Sequence, residues 1–240
     1  MHAAGIAPLI LFSLFIFNAV QAEPDPSPRE VQSHGVAFEE WIRQTFFDHY
    51  QPKSYTQKWD IPKEANLRHG HIPVNPKATE YGTPVGLGDA LRQFDIHEPF
   101  LLIIGYWKEE GKTKRYVKVL TPVVSPEIWR ELWKPITRDD LLKLDAIVRD
   151  RSVDYRESRR LAQALKAQAP FSKAIITLNP KIDGHGQRRL QCSLSFPKVM
   201  EFLSPGTSPA EEISPQLFGV PVPGPFYSPP RQFKKTVPSP

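Results

Sequence analysis

The chain has 240 residues, enough for one ordinary domain, and 31 Lys and Arg against 26 Asp and Glu give a net charge of +5. That mild basic excess admits an anionic partner without demanding one. The single cysteine, Cys192, excludes an intramolecular disulfide framework and reads as a small buried strand residue.

Met1–Ala22 carries an apolar run from Ala7 to Val20 and ends Val20-Gln21-Ala22, with small residues where a signal peptidase reads. The run is short for the roughly 20 apolar residues of a membrane span. Prolines 24, 26 and 28 follow and cannot extend a helix. Residues 1–22 therefore read as a cleavable signal peptide. The expected location is periplasmic or secreted, with no stable membrane insertion after cleavage. Translation beginning near Val31 would instead leave a cytoplasmic protein.

Residues 23–35 form a polar, proline-rich leader. Val36–Tyr50 predicts a helix, because Phe38, Trp41, Ile42, Thr45 and Phe46 recur at helical spacing. Ser54–Ile61 reads as a strand stopped by Pro62, and Ala65–Ile72 as a polar loop. Pro73–Thr79 reads as a second strand, although Pro76 is awkward inside one. Tyr81–Gly88 is a glycine-rich loop, and Asp89–Phe94 one or two helical turns. Gly82, Gly86 and Gly88 could cradle a phosphate, against the plainer reading of a loop.

Phe100–Trp107 is continuously apolar, as a central strand buried on both faces requires. Lys108–Lys114 reads as a charged hairpin turn, with Arg115–Val123 as its partner strand. Ser125-Pro126-Glu127 is an N-cap followed by proline at the first helical position. Thr137-Arg138-Asp139-Asp140 opens a further helix, and Asp154–Gln168 is a third. Ser172–Leu178 and Leu190–Phe196 read as late strands joined by a turn-rich link. Trp129 and Trp133 fit a core better than a base-stacking platform, and Arg156, Arg159, Arg160 and Lys166 a solvated helix face. Prolines crowd residues 204–240, which predicts an extended, disordered tail after a domain over 36–203.

One constellation carries chemistry. A helix bearing Glu39 and Glu40 precedes Lys58-Trp59-Asp60-Ile61-Pro62, and then comes Pro73-Val74-Asn75-Pro76-Lys77. With Tyr81–Gln93, Leu178–Asp183 and Gln187–Ser193, this order resembles the PD-(D/E)XK nuclease family over roughly Val36 to Phe196. The resemblance implies an α/β fold: a restriction-endonuclease-like three-layer core with a central mixed β-sheet flanked by helices. It implies divalent-metal-dependent hydrolysis of phosphodiester bonds in DNA, with magnesium or manganese as cofactor. A homodimer is one arrangement that it allows.

By that resemblance Asp60 is the first metal carboxylate, Lys77 the catalytic lysine, and Glu40 or Glu39 an auxiliary ligand. Two residues before the lysine the family has an acid, and here stands Asn75, whose carbonyl brings no charge. Either another acid, Glu40 or Glu80, takes over, or metal binding is weak and the scaffold serves a non-catalytic, exported binding protein. Gln187, Arg188 and Arg189 suit contacts to DNA phosphates or base edges, against a solvated charge cluster. Asp60 could equally end a strand and Lys77 sit exposed on an edge. His69 and His71 lack a third ligand at any recognised metal spacing.

Overall fold

A computed structural model describes residues 33–52 and 57–227. The expected signal peptide over 1–22, most of the expected leader and residues 228–240 lie outside the described residues. Helix α1 (Ser33–Phe46) stops where Asp48 and His49 take positive φ of 47° and 58°. Strand β1 (Val74–Glu80) turns through Gly82 into β2 (Val85–Asp89), and α2 (Ala90–Phe94) follows, capped by the Asp89 side chain. β3 (Phe100–Glu110) and β4 (Thr113–Leu120) form a hairpin that turns at Gly111, φ 63°. The strands run further into the charged segment 108–114 than its composition suggested. A short β5 (Val123–Val124) leads to helices α3 (Pro126–Trp133), α4 (Arg138–Arg149) and α5 (Tyr155–Lys166). Ser125 caps α3, and Thr137 and Asp140 close a reciprocal capping box on α4, satisfying amides the helix cannot bond itself. β6 (Thr177–Ile182) and β7 (Arg188–Leu194) come next, then a short helix α6 (Phe196–Lys198). The last described elements are β8 (Gln216–Leu217), β9 (Val220–Pro221) and β10 (Phe226–Tyr227).

The molecule is mixed α/β, with a central mixed sheet flanked by helices. Its order is β1-β3-β4-β10, with β5 also on β3. β1 runs parallel to β3, and β4 antiparallel. β3 separates two cores. Phe100, Leu102, Ile104 and Tyr106 face α3, α4 and a second antiparallel sheet, β2-β7-β6. Leu101, Ile103 and Trp107 face α1. Each such fully buried large side chain contributes about 1.5–3 kcal/mol relative to exposure, so this strand anchors both layers.

Pro76 is tolerated because β1 is an edge. The Val74 amide and carbonyl bond outward to Ile61, while Pro73 and Asn75 face β3. Pro76, two residues beyond Val74, therefore turns its nitrogen away from the ladder, as edge prolines must.

Four expectations need correction. Residues 57–61 are not a strand; only Ile61 bridges Val74. The Gln57 side chain donates to the Trp59 and Asp60 carbonyls, and Trp59 and Ile61 enter opposite cores, which two-residue strand alternation forbids. The other part of that predicted strand, 53–56, lies outside the described residues. The loop Tyr81–Gly88 yields a strand from Val85, and the late strand predicted over Ser172–Leu178 starts only at Thr177.

The fourth correction is the tail. Residues 204–227 pack on the domain: Leu217 is fully buried in the α1-side core, joined by Val222 and Phe226. β8 and β9 turn through Phe218 and Gly219, both with positive φ, and β10 pairs with β4. Proline removes an amide donor, but it does not stop the apolar residues between prolines from being buried.

Candidate functional site

The edge of β1 gathers three chain segments. Lys77 Nζ lies 2.7 Å from Asp60 Oδ2, with 20% and 36% of the two side chains exposed. Asp60 reaches this place because the 57–60 loop is pinned from both ends. Lys58 Nζ and Trp59 Nε1 both donate to Glu98 Oε1, at 2.7 and 3.1 Å. The Trp59 ring packs on Phe100, 5.1 Å away and tilted by 36°.

The third member comes from α1. Glu39 lies close enough to Lys77 and Asp60 for both charges to act on its carboxyl. Burial holds Glu39 above the usual carboxylate range; Lys77 and Arg43 pull it back down, and Asp60 pushes it up. Arg43, one turn on, places Nη1 3.9 Å from Glu39 Oε2 and leaves its buried Nε without a partner. Tyr116 of β4 lies beneath α1, its ring stacked on Phe38 at 4.4 Å. Burial and the Glu39 charge push its phenol well up, so it stays protonated.

Of the residues singled out in the sequence, Asp60 and Lys77 come together. Glu39, rather than Glu40, completes the group. The 100° step per helical residue turns Glu40 to solvent, where it accepts from Gln44 at 3.0 Å. Asn75 is 4% exposed, paired with Leu102 inside the sheet. Glu80 is exposed at the end of β1. The late residues separate too. Arg188 turns back and donates to the Val153 carbonyl at 3.0 Å, while the Gln187 backbone closes a turn with Asp183. Gln187 and Arg189 are exposed, and Arg188 is half-buried.

The plainer readings hold elsewhere. Trp129 and Trp133 are 1% and 2% exposed, and Cys192 is buried. His69 stacks on Phe218 at 3.7 Å and is lowered by burial and by Arg68. Among the described residues, no group of three or more His, Cys, Asp or Glu side chains converges on a point. Arg43 and Tyr116 were not singled out in the sequence. Arg43 was readable from its i,i+4 spacing to Glu39; Tyr116 arrives only through the fold.

Glu39 carries a testable pH signature. With its folded value above the ordinary 4.5, the folded chain binds more protons than the unfolded chain between those two values. Stability therefore falls as pH rises through that window. Glu39→Gln removes the ionisation. The melting temperature of the variant minus that of the parent is expected to increase from about pH 4 to about pH 7. A difference that is flat with pH would contradict the placement of Glu39.

No family model matches this chain, no curated protein matches it, and no solved structure matches it. The chemistry of the site itself is therefore the guide to what it does.

Proposed function

We propose that this protein is a divalent-metal-dependent phosphodiester hydrolase acting on DNA as an endonuclease, on a restriction-endonuclease-like scaffold. The observation that carries this reading is the Asp60–Lys77 pair, from loop and edge strand, whose charges both act on the Glu39 carboxyl of α1, with Arg43 beside Glu39. Magnesium or manganese, when bound, polarises the phosphate and lowers the pKa of a water. Magnesium commonly takes only one or two protein carboxylates, with waters and substrate phosphate completing its shell. Asp60 and Glu39 fit that donor set, and Asn75 adds no charge.

The other side chains act on the substrate. Lys77, now neutralised by Asp60, offers its ammonium to the negative charge that grows on phosphate during attack. Arg43, with Nη1 3.9 Å from Glu39, adds a fixed positive charge beside the cluster. Trp59 and Glu98 keep the Asp60 loop in place.

A second reading is an exported, non-catalytic binding protein on the same scaffold. Asn75 favours it, as does the lack of a third carboxylate or histidine at the cluster among the described residues. Cleavage of supercoiled plasmid by Asp60→Ala and Lys77→Ala separates the two. The catalytic reading expects each variant to stay folded and lose at least about 10²-fold in rate. If both cleave like the parent, the assignment of these residues fails.

A further inference from the structure

The second sheet has one covered face and one open face. β6 and β7 pair so that Leu178, Ile182, Leu190 and Cys192 turn into the core beneath α4 and α5. Alternation sends Asn179, Lys181, Arg189 and Gln191 the other way. Lys181 and Arg189 are exposed, and Asn179 and Gln191 are half-buried. Asn179 Nδ2 donates to Ser193 Oγ at 2.8 Å, which fixes the amide on this face.

The two cations face each other rather than an acid. Lys181 and Arg189 stand directly opposite, where like charges repel and weaken the pairing. Neither forms an ion pair with a carboxylate among the described residues. Lys166 of α5 is held below the usual lysine range by burial and by the nearby Lys181. The acid at the rim, Asp89 opposite Gln191, already caps α2 through the Arg92 amide and lies 3.7 Å from Arg149. Arg92 ties this sheet to the candidate site. Its guanidinium lies beside Gly88 of β2 and donates to the Gln57 carbonyl in the loop that carries Asp60.

We infer that this open face is a docking surface for the DNA backbone, with Lys181 and Arg189 on phosphates and the Asn179 and Gln191 amides toward the bases. Cations without an acidic partner over a polar sheet complement a polyanion, and amides are suited to base edges. The inference rests on the phosphodiesterase reading and names the surface that would hold its substrate.

The test is anisotropy of a short fluorescein-labelled duplex with the full chain in EDTA, over a salt series, so that cleavage plays no part. Lys181→Ala with Arg189→Ala is expected to weaken binding at least tenfold. The slope of log affinity on log salt should fall by about two, one for each phosphate that is no longer neutralised. Arg156→Ala with Arg160→Ala, on the exposed face of α5, should bind like the parent. Failure of the parent to bind DNA, or unchanged affinity and slope in the Lys181/Arg189 variant, would overturn the inference. So would poly-glutamate binding in preference to DNA with the same residue dependence, which would point to an acidic protein partner. A parent that binds through this face but does not cleave plasmid in magnesium would sink only the catalytic reading. Cleavage with binding indifferent to Lys181 and Arg189 would sink only this one.

Discussion

Gly105→Ala is expected to destabilise the protein by about 3 kcal/mol, the upper end for overpacking a close-packed core. A Cβ at Gly105 would stand 2.6 Å from both Phe38 Cζ and Tyr116 Cε1. Neither ring has room to retreat: the two are stacked on each other, and both are buried against the central sheet. The backbone of β3 is equally fixed, paired with Ala78 on one side and Val119 on the other. The loss corresponds to a drop in melting temperature of roughly 6–12 °C for a domain of this size. Shortening one ring should relieve part of it, so Gly105→Ala combined with Phe38→Leu is expected to lose less than the sum of the two single changes. A Gly105→Ala protein within about 0.5 kcal/mol of the parent would mean that α1 does not lie on β3 as described. The position of Glu39 would then be lost with it.

The second large effect concerns residues 204–227. Lys118 of β4 is 1% exposed, and its ammonium meets Glu212 Oε1 at 2.8 Å and the Ala210 carbonyl at 3.1 Å. Lys108 pairs with Glu211 at 2.6 Å, and the Glu212 amide donates to the Val117 carbonyl. Glu212→Ala leaves a buried cation with one carbonyl. Breaking a buried pair costs about 3–5 kcal/mol, and since 43% of the Glu212 side chain still reaches water, about 2 kcal/mol is expected here. Protease cleavage between Leu203 and Leu217 should accelerate. Lys118→Met in the same background should restore most of the stability, because it removes the charge along with its need for a partner. Equal protease resistance in Glu212→Ala and the parent would show that this segment is held by its apolar contacts alone.

What could be read from the sequence followed from periodicity and from capping. The apolar run Phe100–Trp107 announced the central strand, and Ser125-Pro126 and Thr137 through Asp140 announced two helix starts. Misreadings arose where composition outweighed side-chain pattern. Gly86 and Gly88 hid β2, although Val85 and Leu87 are both buried and a bulge between Gly86 and Gly88 absorbs the irregularity. The prolines after Leu203 hid Leu217, Val222 and Phe226. At the site, Asp60 and Lys77 were legible as a pair only through family resemblance. The choice between Glu39 and Glu40 turned on helix rotation, which adjacent acids on a polar stripe do not reveal. The open face of the second sheet was half legible: Arg189 was singled out, but its partner across the strand, Lys181, needed the register.

The proposed phosphodiesterase site is the Asp60–Lys77 pair with Glu39 of α1 as the second carboxylate. Plasmid cleavage by the purified protein, with magnesium or manganese against the same reaction in EDTA, tests it most directly. Metal-dependent nicking that disappears in EDTA and in Asp60→Ala is the predicted result, with Glu39 supplying the second carboxylate that Asn75 lacks. A folded parent that leaves the plasmid intact in both metals would contradict the claim and leave a non-catalytic binding protein on the same scaffold.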